Sequence, residues 1–197
     1  LPHNKIRALQ LDQNDQLWAG TDGGLCQIKE DEIIVYTIED GLSDNKILTL
    51  FEDDSGVLWV GTESGLCYYD SGRFITCPSS KLSKERVRSI AQTGEGNYWF
   101  GTKEGVYELM ARDLNSEEWP LTFINKTNGL SNERIRKIIR DRNHAMWVGT
   151  FIGGICRLTD ESFSYFTADE GFPENNVTAI FHDSTGDTWV GTFDGSI

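Results

Sequence analysis

Short runs of β-branched and aromatic residues alternate along the whole chain with turns rich in Gly, Asp and Ser. In one representative stretch the apolar runs are 47–52, 58–62, 66–70 and 73–77. The turns between these runs are 53–56, 63–65 and 71–72, and the last is a tight hairpin turn. The spacing typical of an amphipathic helix is absent. The pattern therefore predicts four short antiparallel strands in this stretch.

This four-strand unit is repeated along the chain. The string W-x-G-T occurs five times, beginning at Trp18, Trp59, Trp99, Trp147 and Trp189. A second motif, such as Leu42-Ser43-Asp44-Asn45, begins 17 residues before each of these tryptophans. Four strands in a period of about 40–45 residues are typical of a β-propeller blade, whose two faces are buried against neighbouring blades.

The repeats predict an all-β fold, a β-propeller segment of four-stranded antiparallel blades. Four blades are complete and a fifth is partial: 1–41, 42–81, 82–129, 130–171 and 172–197. Because the fifth repeat stops inside the pattern, we expect the chain to be a fragment of a larger propeller, for which the range of 4 to 8 blades sets a minimum of five. The recurring Trp is expected to fill the wedge between sheets, and the Gly two residues later to permit close backbone approach.

Composition narrows the classes of function. The chain has 31 acidic and 18 basic residues and a net charge of −13, which disfavours binding to nucleic acid. No apolar run is long enough to span a bilayer. The four cysteines contain no C-x-x-C pair, so we expect buried free thiols and no zinc site. No cofactor is predicted.

One group of residues stands out against the acidic background. Of the ten positions that lie 13 and 11 residues before the five tryptophans, seven are basic: Lys5, Arg7, Lys46, Arg86, Arg88, Arg134 and Arg136. They open the first strand of each blade, so we expect them around one mouth of the central channel. They either bind an anionic ligand or pair with loop acids such as Asp40, Asp44, Glu133 or Glu170.

Two stretches carry a resemblance to a known family. The pattern G-L-S-x-N-x-I, an Asp-rich turn and then W-V-G-T resembles the two-component regulator propeller repeat, and its closest copies lie at 41–66 and 129–155. The resemblance implies seven-bladed propellers in the periplasmic sensor region of hybrid histidine kinases of Bacteroides-type bacteria. It also implies oligosaccharide ligands, a homodimeric sensor and a membrane segment outside this chain.

Two other classes of function remain open. A non-catalytic scaffold for protein interactions would use the same mouth, and a propeller lyase or glycosidase would need converging catalytic groups. The histidines, His3, His144 and His182, fall at different repeat positions. The acids Asp12, Asp53, Asp141 and Asp183 recur in their blades, so we expect them to form turns. We therefore expect no enzymatic activity in this segment.

Exposed aromatic side chains would favour stacking against a sugar. The candidates are Tyr36, Tyr68, Tyr69, Trp119 and Phe151. Trp119 is the one tryptophan outside the W-x-G-T series, and it lies in the longest insertion between repeats, where a local contact with Pro120 is the alternative.

Overall fold

A computed structural model describes residues 1–30, 32–159 and 162–197. These residues form four antiparallel sheets of four strands and one sheet of two strands. The first sheet contains β1 (Ile6–Leu11), β2 (Leu17–Thr21), β3 (Gly24–Ile28) and β4 (Ile33–Tyr36). The second contains β5 (Ile47–Glu52), β6 (Leu58–Thr62), β7 (Gly65–Asp70) and β8 (Arg73–Thr76). The third contains β9 (Ser89–Gln92), β10 (Tyr98–Gly101), β11 (Val106–Leu109) and β12 (Thr122–Ile124). The fourth contains β13 (Ile135–Arg140), β14 (Met146–Thr150), β15 (Ile155–Thr159) and β16 (Ser162–Phe166), and the fifth contains β17 (Val177–His182) and β18 (Thr188–Thr192).

The strands predicted for the second repeat are confirmed to within one residue at each end. β5 and β6 agree at both ends, whereas β7 begins one residue early and β8 ends one residue early. The hairpin turn between β7 and β8 places Ser71 and Gly72 at φ 49° and 91°. Cys77 follows β8, and its N–H still donates to the carbonyl of Leu66 at 3.0 Å.

Single turns of 3₁₀ helix precede three of the inter-repeat motifs. They span Ile38–Asp40, Lys126–Asn128 and Ala168–Glu170. In the first, Thr37 and Asp40 cap each other, and Gly41 ends the turn at φ 99°, a left-handed conformation that suits glycine. The sequence analysis did not predict these turns, although Thr-x-x-Asp-Gly is a recognisable capping signal.

The chain packs into two compact units. The first comprises Leu1–Ile90 and Ser116–Trp119, and the second Ala91–Asn115 and Pro120–Ile197. A core in the first unit surrounds Trp18, Ile47 and Val60, and a core in the second surrounds Trp99, Ile138 and Val148. In both, residues from one sheet pack against those of the next, as expected for sheets that cannot bury both faces alone.

The recurring acids form turns, as predicted. Asp53 Oδ1 accepts the backbone N–H groups of Ser55 and Val57 at 2.9 and 3.0 Å. Its Oδ2 accepts the indole N–H of Trp59 at 2.8 Å. The same carboxylate–indole bond recurs in three other repeats: Asp12 with Trp18, Asp141 with Trp147 and Asp183 with Trp189, at 2.9, 2.8 and 2.7 Å. One side chain thus closes the turn and orients the tryptophan.

These bonds predict a pH dependence of stability. Burial raises the pKa of Asp141, but hydrogen bonds from Trp147 and two backbone amides, with Arg157 nearby, outweigh it and leave the pKa below its ordinary value. A carboxylate whose pKa is lowered by folding stabilises the folded protein. This contribution is fully present above the unfolded pKa of about 4, and it is lost as the pH falls through the folded pKa. Asp141→Asn should therefore cost about 1–3 kcal/mol at neutral pH, and its deficit relative to the unmodified protein should shrink below about pH 4.

Urea unfolding between neutral pH and about pH 3 measures this difference. The exposed Asp169 supplies a matched control, because Asp169→Asn makes the same chemical change away from any tryptophan turn. A deficit for Asp141→Asn that stays constant over the whole range would contradict the carboxylate role.

Trp119 is buried and not exposed to solvent. Its side chain is 3% exposed and packs on Trp59 with the ring centroids 5.9 Å apart. Its backbone N–H donates to the carbonyl of Pro78 at 3.0 Å, so the insertion reaches back to the end of the second repeat. In this structure Trp119 therefore presents no face to a sugar.

The cysteines are packing residues in this structure. All four, Cys26, Cys67, Cys77 and Cys156, are buried with free thiols. Burial raises the pKa of Cys67 to about 11 and that of Cys77 to about 12. Neither thiol is therefore ionised near neutral pH.

Candidate functional site

Basic side chains of the first unit gather beside the W-x-G-T turns. In the first repeat Arg7 binds Asp22 with two parallel hydrogen bonds, one from Nε to Oδ1 and one from Nη2 to Oδ2, the latter 3.0 Å long. The bond to Asp22 raises the pKa of Arg7, and the same bond lowers the pKa of Asp22. Lys5 and Lys46 lower the pKa of Asp22 further, so they lie within electrostatic reach of this pair.

A second ion pair lies in the same unit. Lys46 Nζ and Arg86 Nη2 both contact Oε2 of Glu63, at 3.1 and 3.0 Å. Glu63 also raises the pKa of Arg7, which places it near the first pair. These side chains are about one third exposed, so solvent and solutes reach them. We call Lys5, Arg7, Lys46 and Arg86, with their acids Asp22 and Glu63, the basic cluster.

The acids that neutralise the basic cluster differ from the examples expected from the sequence. Asp22 and Glu63 each follow the Thr of W-x-G-T directly. The backbone N–H at this position donates to the carbonyl of the first basic residue of the same repeat: Asp22 to Lys5 at 3.2 Å and Glu63 to Lys46 at 3.0 Å. By contrast, Asp40 caps its own 3₁₀ turn and Asp44 accepts the Lys46 N–H.

In the second unit two of the basic residues contact an aromatic ring. The guanidinium carbons of Arg134 and Arg136 lie 4.1 and 4.6 Å from the centroid of the Phe151 ring. Phe151 occupies the position that Asp22 and Glu63 hold in their repeats, and its N–H donates to Arg134 O at 3.0 Å. Both guanidinium planes are held by cation–π contact, so their charges are not neutralised by this partner.

Arg88, the remaining predicted site residue, lies just before β9 in the first unit and is partly exposed. Its side chain makes contacts within the described residues. The structure thus brings Lys5, Arg7, Lys46 and Arg86 together in one unit and Arg134 and Arg136 together in the other. The sequence analysis missed Phe151 as their partner, although the residue after each W-x-G-T was the signal that could have identified it.

The histidines serve local contacts in this structure. His3 Nδ1 accepts the N–H of Lys5 at 3.0 Å, and His182 Nδ1 lies 3.1 Å from Thr188 Oγ1. His144 occupies the turn between β13 and β14. Within residues 1–30, 32–159 and 162–197, no three His, Cys, Asp or Glu side chains are arranged to hold a metal ion. In the same residues no helix is long and apolar enough to cross a membrane.

The chain contains five segments that match the model of a known repeat family. The family described as two component regulator propeller matches residues 1–23, 41–64, 81–104, 129–151 and 171–194, which together make up more than half of the chain. The chain belongs to the two component regulator propeller family. No curated protein matches the chain.

Solved structures confirm the propeller fold. The chain is 28% identical to the extracellular domain of a hybrid two component system from B. thetaiotaomicron, with a TM-score of 0.84 over 98% of this chain. A second extracellular domain from that organism is 24% identical, with a TM-score of 0.83 over 96% of the chain. The chain spans only 26% and 28% of the length of these domains. A virginiamycin B lyase from Staphylococcus aureus shares the fold at 14% identity and a TM-score of 0.71, over 98% of this chain and 68% of the lyase.

The two component regulator propeller repeats contain every predicted basic residue. Lys5 and Arg7, Lys46, Arg86 and Arg88, and Arg134 and Arg136 all fall inside matched segments. The insertion that carries Trp119 lies between two matches. The basic residues therefore lie in the repeats that define the family, whereas Trp119 lies in an insertion between two repeats.

Proposed function

We propose that this chain is a non-catalytic, ligand-sensing propeller segment of the periplasmic region of a hybrid two component histidine kinase, and that its ligand is an acidic oligosaccharide. The class of protein is supported by membership of the two component regulator propeller family and by the likeness to extracellular domains of hybrid two component systems. The acidic character of the ligand is supported by the charges of this chain, and the oligosaccharide class by the family resemblance.

The basic cluster is the observation that carries the proposal. Three basic side chains, Arg7, Lys46 and Arg86, contact two carboxylates, and Lys5 lies within electrostatic reach of one of them, on a protein whose net charge is −13. The surplus of positive charge attracts an anion locally, and arginine offers paired donors that match a carboxylate. Arg86 Nε is buried and has no hydrogen-bond partner among the described residues. A ligand carboxylate that draws this guanidinium outward would satisfy that donor.

Removing two of these charges should weaken binding of an acidic sugar. We expect Lys46→Met combined with Arg86→Gln to lower the affinity for a trisaccharide of galacturonic acid by about tenfold or more, because each bond to a charged group contributes about 1.5–3 kcal/mol and partial exposure reduces that. The carboxyl-reduced, neutral trisaccharide should bind weakly to both proteins. Calorimetric titration at low and moderate salt measures the difference.

Two further variants sharpen the test. Arg73→Gln removes one positive charge from an exposed strand outside the cluster, so it should leave the affinity unchanged. Glu63→Gln removes a competing carboxylate, so it should strengthen binding of the acidic trisaccharide. Equal affinity for the acidic and the neutral sugar, or no binding of either, would refute the proposal.

A further inference from the structure

The third repeat breaks the rule that governs the other tryptophan turns. Where the other repeats have Asp, six residues before the tryptophan, this repeat has Thr93. The indole N–H of Trp99 turns instead to Glu108 Oε1 on the neighbouring strand, at 3.0 Å. A carboxylate on β11 thus replaces the carboxylate of the turn, and only one of its two oxygens receives the indole.

A cleft opens beside this altered turn, entirely within the second unit. Its volume is about 400 Å³, within the range of small-molecule sites. The lining includes the acids Glu95 and Glu108, the imidazole of His144, and Trp99, Met146 and Leu158. Trp99 and Met146 belong to the hydrophobic core of the second unit, and Leu158 packs against that core. These three side chains form an apolar surface, which we call the floor of the cleft.

Two neighbouring turns approach closely at this cleft. A side chain at Gly94 would place its Cβ 2.8 Å from the Cβ of His144, so the glycine lets the histidine pack over the turn of the third repeat. His144 adopts φ 66°, in the left-handed region that non-glycine residues rarely occupy. His144 and Gly94, which both line the cleft, therefore lie in close contact.

The charge of the cleft is negative. Glu95 and Glu108 line it, and no lysine or arginine is among its lining residues in the described part of the chain. The guanidinium of Arg140 contacts the turn of the third repeat by donating to Thr93 O at 2.7 Å. Arg140 has other partners as well. A carboxylate beside an apolar floor favours a ligand that carries a positive charge on an apolar body.

We propose that the cleft between the turns of the third and fourth repeats binds a small organic cation, with its ammonium or guanidinium group on Glu108 and its apolar body on the floor formed by Trp99, Met146 and Leu158. The cleft lies at the end of β13 opposite to Arg134 and Arg136. It is therefore separate from these two arginines, and the charge of its ligand is opposite to that of the acidic sugar proposed above.

The indole N–H of Trp99 provides a direct readout. In a nitrogen–proton NMR spectrum, titration with 2-phenylethylammonium should shift the Trp99 indole resonance and leave those of Trp18 and Trp59 in place. The neutral isostere 2-phenylethanol should bind about tenfold more weakly, because it lacks the bond to a charged group. Equal affinity of the two probes, or no shift of the Trp99 resonance up to the solubility limit, would overturn the proposal.

A pair of variants tests the carboxylate itself. Glu108→Gln keeps an oxygen that can accept the Trp99 N–H but removes the charge, so affinity for 2-phenylethylammonium should fall about tenfold. Glu104→Gln makes the same charge change at an exposed position outside the cleft and should change nothing. If Glu108→Gln binds the cation as well as the unmodified protein does, Glu108 is not its ligand. The result is independent of the acidic-sugar test, because neither variant alters the basic cluster.

Discussion

Trp59→Ala should lower the free energy of unfolding by about 3–5 kcal/mol, the cost typical of truncating a large buried aromatic residue. The Trp59 side chain is 1% exposed. Its ring lies 5.2 Å from that of Tyr68 and 5.9 Å from that of Trp119, measured between centroids. Truncation would also leave the buried Oδ2 of Asp53 without the indole donor. Chemical denaturation followed by circular dichroism would measure the loss.

The fifth repeat supplies a control at the same repeat position. Trp189 makes the same bond to its turn acid, Asp183, but its side chain is 53% exposed in this chain. Trp189→Ala should therefore cost much less than Trp59→Ala, about 1 kcal/mol, because little packing is lost. Trp59→Phe keeps most of the ring volume and isolates the contribution of the hydrogen bond. Equal losses for the two alanine variants would contradict the role of Trp59 burial in stability.

Sequence reasoning succeeds where one residue position has one local role. The alternation of the second repeat predicts β5 and β6 at both ends because strands of this length are bounded by turn residues with strong backbone preferences. The turn role of Asp53 is equally local, since the carboxylate bonds amides two and four residues ahead of it. Five copies of the same pattern then identify the fold, because a repeated sheet has few ways to bury both faces.

Sequence reasoning is weaker where the partner comes from another repeat. Arg86 pairs with Glu63 of the preceding repeat, and Trp119 packs on Trp59 across the insertion. Neither pairing has a fixed spacing in the sequence, so periodicity cannot reveal it. The partner of Trp99 is another case, because the loss of Asp at position 93 is visible in the sequence but the replacement by Glu108 depends on strand register.

The basic cluster and the cleft of the second unit illustrate the same principle. The basic side chains recur at fixed repeat positions, whereas their partners and the turn beside the cleft differ between repeats. In the first unit, Asp22 and Glu63 follow W-x-G-T and neutralise part of the charge, whereas Phe151 at this position neutralises none. In the third repeat, Thr93 replaces the turn acid and the indole turns towards a cleft. Differences between repeats at a constant position therefore change the local contacts while the sheet framework is kept.

Replacing the glycine of W-x-G-T by alanine in the second repeat should also lower the free energy of unfolding. A Cβ on Gly61 would lie 2.6 Å from Thr49 Cγ2 and 2.8 Å from the carbonyl oxygen of Val87. The carbonyl belongs to the backbone of the next repeat and cannot rotate away, so the backbone of one of the two segments must shift. We expect Gly61→Ala to cost about 1–3 kcal/mol, as overpacking of a well-packed core does. Thermal and urea unfolding would both register the loss.

Gly191 is the matched position in the fifth repeat, and it separates close packing from any intrinsic effect of glycine. There an added Cβ would meet only Thr178 Oγ1 at 3.4 Å and Ala179 Cβ at 3.8 Å, which are ordinary contacts. Since alanine restricts the unfolded chain more than glycine does, Gly191→Ala should be neutral or stabilising by up to about 1 kcal/mol. Opposite signs for the same substitution at the same repeat position would show that the close contacts with Thr49 and Val87, and not the strand itself, require glycine. A comparable loss at both positions would instead assign the requirement to the strand.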